Sequence, residues 1–94
     1  MKKGIFNKYV NYVCKGASVS KDELFSKVKV GKISSARFLL YSICYQRPMT
    51  INQILDLMHE NGYDTDRTTI EYGIKKMAKE TDKDVLTFIK DCIS

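Results

Sequence analysis

Three cysteines (Cys14, Cys44 and Cys92) and one histidine (His59) are the side chains in this 94-residue sequence best suited to metal or nucleophilic chemistry. Their spacing serves neither. A zinc site takes four close sulfur or nitrogen ligands, and no two of these cysteines form a CxxC pair. His59 has no nucleophile near it in the sequence, and acid–base catalysis would need a convergent set such as Cys–His or paired carboxylates. No GxxxxGK[ST] phosphate loop occurs, so nucleotide hydrolysis of that kind is not expected. The expectation is a protein without metal, cofactor or enzymatic activity. Cys14 and Cys44 lie in apolar runs, where buried, reduced thiols are expected.

What remains is charge. The chain carries 16 Lys and Arg against 11 Asp and Glu, unevenly spread. Residues 1–50 hold ten basic residues against two acids, Asp22 and Glu23, a net of +8; residues 51–94 hold six against nine, a net of −3. A basic half of that size suits a polyanion such as nucleic acid. The alternative is that the lysines only keep a small protein soluble. Thirteen of the sixteen are lysine, a point charge suited to phosphate, and Arg37, Arg47 and Arg67 are the residues able to make planar, bidentate contacts.

Helical patterning positions these residues. The length fits one domain, residues 1–94. Residues 5–14 place Ile5, Phe6, Tyr9, Val10, Tyr12 and Val13 at helical spacing, and Lys15-Gly16 reads as the end, with the glycine as C-cap. Ser20-Lys21-Asp22-Glu23 is a capping box opening a short helix to about Val28, after which Gly31 breaks the pattern. Residues 33–46 are apolar almost all round, as a buried central helix is, and Arg47-Pro48 ends them. Thr50-Ile51-Asn52-Gln53 is a second capping box, whose helix stops at Asn61-Gly62; a tight connection, Tyr63-Asp64-Thr65, follows. The next helix opens near Asp66 and runs to about Glu80. A last one starts at Thr81-Asp82, with Val85, Leu86, Phe88, Ile89 and Ile93 inward. Tyr9, Tyr12, Tyr41 and Tyr45 read as core.

The expected fold is all-α, a compact bundle of about six helices containing a helix-turn-helix at about 50–80. A winged helix would need a β-hairpin where residues 81–93 read as helix. Met1-Lys2-Lys3 reads as a native start and is basic like a secretion signal, but Asn7, Lys8 and Asn11 interrupt any apolar stretch behind it. The longest apolar run, Phe38 to Tyr45, is too short to span a membrane. A cytoplasmic protein with no membrane partner is expected.

In a helix-turn-helix the second helix enters the major groove with its N-terminal residues at the base edges. At about 100° per residue, turning Ile70, Ile74 and Met77 inward points Thr68, Tyr72, Lys75 and Lys79 outward, with Arg67 at the helix tip. Asp66-Arg67-Thr68-Thr69-Ile70, followed by Ile74-Lys75-Lys76-Met77, resembles the signature of the DNA-binding domain (domain IV) of the bacterial replication initiator DnaA family: Asp-His-Thr-Thr-Val, then a Lys-Ile-type helix end. Ala36-Arg37 resembles the family's Ala/Pro-Arg opening of a long apolar helix, and Thr50-Ile51-Asn52-Gln53-Ile54 its Ser-Leu-Pro-Glu-Ile. Ser26-Lys27-Val28-Lys29 resembles its basic stretch, and Asp84 to Ile93 its closing helix. The resemblance runs in order along essentially the whole chain.

It implies a protein that binds double-stranded DNA, with a recognition helix near 66–79 in the major groove. Asp66, Arg67 and Thr68 would meet bases, Thr69 a phosphate, and Arg37 the adjacent minor groove. Lys27 and Lys29 would meet phosphates, and Lys32 and Lys75 are counted with them. Without an ATPase, the implied role is a regulator of replication or transcription, as a phage or mobile element would carry. The departures bear on the target sequence. Arg67 stands where the family has histidine, and arginine prefers guanine O6 and N7. Thr65 replaces an arginine, and Tyr63-Asp64 replaces two glycines. Glu71 replaces an apolar residue; a glutamate there either accepts from cytosine N4 or repels phosphate.

Plainer roles stand beside these. Asp66 reads equally well as an N-cap, Thr68 and Thr69 as ordinary first-turn residues, and Arg37 as the partner of an acid such as Asp56 or Glu60. The second functional expectation is a protein-interaction module that binds a polymerase, an initiator or a repressor. Lysines gathered on one face would favour DNA, and acids from 56–71 among them would favour a protein.

Overall fold

Capping chemistry sets most of the helix boundaries. The computed structural model describes residues 2–93, the Lys2 side chain excepted, and Met1 of the basic start lies outside the described residues. The chain forms α1 (Lys2–Ala17), α2 (Lys21–Leu24), α3 (Gly31–Gln46), α4 (Ile51–Glu60), α5 (Arg67–Ala78) and α6 (Lys83–Ile93), with no strand among the described residues. The protein is all-α, as expected. Ser20 caps α2 and Thr50 caps α4. Each side chain accepts from the N–H three residues on, while Glu23 and Gln53 reach back to the cap N–H groups at 2.8 and 2.9 Å. Asp82 opens α6 by accepting from the Asp84 N–H at 2.8 Å. Each such cap satisfies donors that a helix start leaves orphaned and is worth about 1 kcal/mol.

Three boundaries differ from the sequence expectation. First, α1 runs past Gly16 to Ala17, and Ser18 (φ 56°) takes the left-handed position that closes it, with the Val19 N–H donating to the Cys14 carbonyl at 3.1 Å. Gly16 serves packing instead: a Cβ there would lie 2.5 Å from the Phe88 ring of α6. Second, α2 stops at Leu24 and not at Val28. The Ser26 N–H turns back to the Glu23 carbonyl at 3.2 Å, three residues and not four, and the carbonyls of Glu23, Leu24 and Ser26 accept from Arg37 of α3. Third, Gly31 is the first residue of α3 and not a break before it.

The middle of the molecule is α3, which touches each of the other five helices. Five consecutive residues, Leu40 to Cys44, are buried, so no side of its middle turn meets water. Phe6, Val10 and Val13 of α1, Ile54 and Met58 of α4 and Ile70 of α5 close around it in one cluster. Each fully buried side chain of this kind contributes about 1.5–3 kcal/mol through burial. Tyr9 and Tyr41 are in this core, but Tyr12 and Tyr45, expected there too, are exposed, as is Leu86. The three thiols are free; Cys44 and Cys92 are buried, whereas Cys14 is half-buried. No helix of the described residues is long and apolar enough to cross a membrane.

Candidate nucleic-acid interface

Six residues, 61–66, join α4 to α5: Asn61 and Gly62 close α4, Tyr63-Asp64-Thr65 connect, and Asp66 caps α5, the bounds expected from the sequence. The chain leaves α4 through Gly62 (φ 82°), whose N–H donates to the His59 carbonyl at 2.9 Å while the Tyr63 N–H donates to that of Met58 at 3.0 Å. This paired closure needs a left-handed residue, which glycine adopts freely. The Asn61 side-chain amide donates to the Leu57 carbonyl at 2.8 Å. His59 Nε2 lies 3.0 Å from the Thr65 carbonyl, a contact in which the ring must be the donor.

The connection ends at Asp66, whose Oδ1 accepts from the Thr69 N–H at 2.8 Å and caps α5. The Thr69 backbone and side chain together hold the Asp66 carboxyl below the ordinary carboxylate range. Its support of α5 is therefore present above that ordinary range and is lost as pH falls through the lowered value. Two residues expected at the DNA, Asp66 and Thr69, are thus first bound to each other.

Beyond the cap, α5 lies against α3. Ile70 and Gly73 are buried on its inner side. A Cβ on Gly73 would sit 2.6 Å from the Phe38 ring and 3.0 Å from the Tyr41 ring, so the absence of a side chain sets how closely the helices approach. Thr68, Tyr72, Lys75 and Lys79 are exposed, the four residues that helical spacing turns outward. Arg67 and Thr69 are exposed in the first turn, and Glu71 is half-buried on the flank. Phe38, read from the sequence as core, is half-buried. Its ring meets the edge of Tyr72 at 5.7 Å, and Lys76 Nζ stands 5.6 Å over it. No sequence signal marks this surface aromatic pair, because it joins two different helices.

Lys27 and Lys29 reach the same region from the other half of the chain. Both are exposed. With Phe25 they line one side of an open groove of about 250 Å³, and Gly62, Tyr63 and Asp64 form the other. Two expected phosphate contacts therefore stand beside the connection leading into α5. Lys32 is exposed on the first turn of α3, and Lys75 lies seven residues, about two turns, along α5 from Thr68. Asp64 puts a carboxylate among the lysines.

Arg37 does not occupy the place the sequence reading gave it. Expected to reach into a minor groove or to pair with Asp56 or Glu60, it is only 3% exposed. Its Nε donates to the Leu24 carbonyl at 2.8 Å, and its Nη2 to those of Ser26 at 2.6 Å and Glu23 at 3.2 Å. The Tyr63 ring covers the guanidinium, 4.5 Å from centroid to Cζ. The reason is chemical: a planar fork of five donors fits several carbonyls at once, and the carbonyls at and just past a helix end lack the full set of helical donors. A signal was present in the sequence, since a helix apolar on nearly every side leaves little outward room for an arginine at its centre.

Beneath the connection lies Tyr41, 1% exposed. Its hydroxyl has no well-formed hydrogen bond, with the Thr65 side chain beside it. Burial, aided by the neighbouring Tyr63, pushes this phenol up to about 12. No three His, Cys, Asp or Glu side chains gather as a metal site among the described residues. No protein-family model matches the chain, and no curated protein or solved structure matches it.

Proposed function

We propose that the protein binds double-stranded DNA, with α4 and α5 as a helix-turn-helix like that of the DnaA DNA-binding domain and α5 as the recognition helix. The observation that carries this is the groove between the 25–29 segment and the α4–α5 connection. Across it, Lys27 and Lys29 from the basic half of the chain face residues 62–64 of the connection that leads into α5, whose first turn is exposed. Arg67 and Thr68 in that turn are the base-reading groups, Arg67 toward guanine. Lys27, Lys29, Lys32 and Lys75 neutralise phosphates and fix the register. A DNA binder of this size suits a regulator that occupies sites in replication or transcription.

Fluorescence anisotropy with a mixed-sequence duplex and a DnaA-box duplex, at several salt concentrations, tests the proposal. Log affinity should fall linearly with log salt, at a slope of about −0.9 per neutralised phosphate. Arg67→Ala should lose about 1–3 kcal/mol on the preferred duplex and relax specificity at one base pair. Equal binding of all sequences by parent and variant would remove α5 from the major groove.

Asp64 beside the lysines favours one other reading, a mixed-charge face for a protein partner such as a polymerase, an initiator or a repressor. No binding to any duplex at micromolar protein in low salt would leave that reading in place of DNA.

A further inference from the structure

The groove exists only if residues 25–30 keep their path. They form no regular secondary structure. The nearest regular element before them, α2, is a single turn. Short irregular segments rich in exposed residues are held by side chains or move. Ser26 ties the segment locally, its Oγ donating to the Glu23 carbonyl at 2.7 Å and accepting from the Val28 N–H at 3.2 Å, Phe25 packs near Phe6, and Arg37 binds it to α3 by hydrogen bonds. The Arg37 guanidinium binds carbonyls at three points along residues 23–26, and its outer face is covered by Tyr63 across the groove. One rigid group therefore joins the segment bearing Lys27 and Lys29, the central helix α3 and the connection into α5.

We infer that Arg37 is a positioning residue: it sets Lys27 and Lys29 against the connection leading into α5 so that they meet DNA phosphate, and it does not touch DNA itself. The inference rests on the DNA-binding proposal above. Its physical content is preorganisation. Two lysines on a loose segment would neutralise phosphate only after ordering it, at a cost in backbone entropy for each residue fixed. A lysine at position 37 would keep the charge but not the fork that reaches spaced carbonyls.

The experiment compares the full chain with Arg37→Lys, the double variant Lys27→Ala/Lys29→Ala, and all three substitutions together. Duplex affinity and its salt slope are the readouts. The double variant should lower the slope by about 2, one per lost phosphate contact. Arg37→Lys should weaken binding by about tenfold, and adding it to the double variant should weaken binding no further. Effects that simply add would mean that Arg37 contacts DNA directly or acts through global stability, and either overturns the inference. A readout without DNA separates this from failure of the DNA proposal: backbone ¹⁵N order parameters of residues 25–30 should fall in Arg37→Lys while those of α3 do not. Unchanged order in 25–30 overturns the positioning role even where the parent binds DNA. Should Arg37→Lys not fold, Tyr63→Leu, which uncovers the guanidinium and keeps its carbonyl bonds, takes its place with the same expected non-additivity. A parent chain that binds no duplex overturns both proposals.

Discussion

At Tyr41, a polar atom sits in the core without a well-formed partner. An unsatisfied buried hydroxyl costs desolvation and returns little, so Tyr41→Phe should leave stability unchanged or raise it by up to about 1 kcal/mol. Urea unfolding checks this, and a loss above about 1 kcal/mol would mean that Tyr41 and Thr65 share a real hydrogen bond. The same substitution has a signature in alkali. With the folded phenol raised from 10.0 to about 12, the stability tied to its neutrality is intact below pH 10.0 and drains away as pH climbs toward 12. Tyr41→Phe should therefore flatten the alkaline limb of the stability profile. Arg37 marks the limit of residue-by-residue reading. The sequence identified it as one of three informative arginines, but its partners are carbonyls 11 to 14 residues away. No side-chain pattern encodes a backbone acceptor.

Between elements, glycines are where local propensity and tertiary contact disagree in sign. Alanine is favoured over glycine inside a helix by about 1 kcal/mol, so propensity alone makes Gly73→Ala stabilising. The Phe38 and Tyr41 rings, 2.6 and 3.0 Å from the added methyl, make it destabilising. Overpacking of this kind costs about 1–3 kcal/mol, and Tyr41 is enclosed, so the expected outcome is a lower urea midpoint with an unchanged m-value. A raised midpoint would show that α5 can lift from α3 at no cost. The same distinction explains which boundaries were legible. The starts of α2, α4 and α5 follow from capping side chains within three residues of the helix, so the sequence displays them. The end of α2 and the role of Gly16 depend on Arg37 and Phe88, which lie on other helices, and no local pattern contains them.

Over the whole molecule, the all-α bundle was readable because the apolar spacing of each segment and the all-round burial of residues 40–44 agree on one centre. The candidate site was readable only in part. The charge asymmetry pointed to a basic half, but the pairing of its lysines with the connection into α5 arises from the groove, which joins segments more than thirty residues apart. That groove mixes signs, so attraction to a polyanion is expected to be short-ranged and sharply reduced by salt, since exposed charges are screened over about 10 Å at 0.1 M. The exposed Lys3–Glu60 pair, at 3.3 Å, removes one further lysine from the long-range field.

Cys44, buried near the end of α3, gives the bundle a built-in clock. Its thiol is wholly enclosed and burial raises it to about 12, so a thiol-specific reagent finds neither access nor thiolate while the core is closed. Cys14, half-buried near the end of α1, needs only a local fraying of that helix. Mass spectrometry under native conditions should therefore record Cys14 modified first and Cys44 last. The rate at Cys44 should follow the population of the fully opened chain, and Gly73→Ala should quicken it while leaving Cys14 nearly unchanged. Equal rates at the two thiols would mean that α1 and α3 open together, as one cooperative unit.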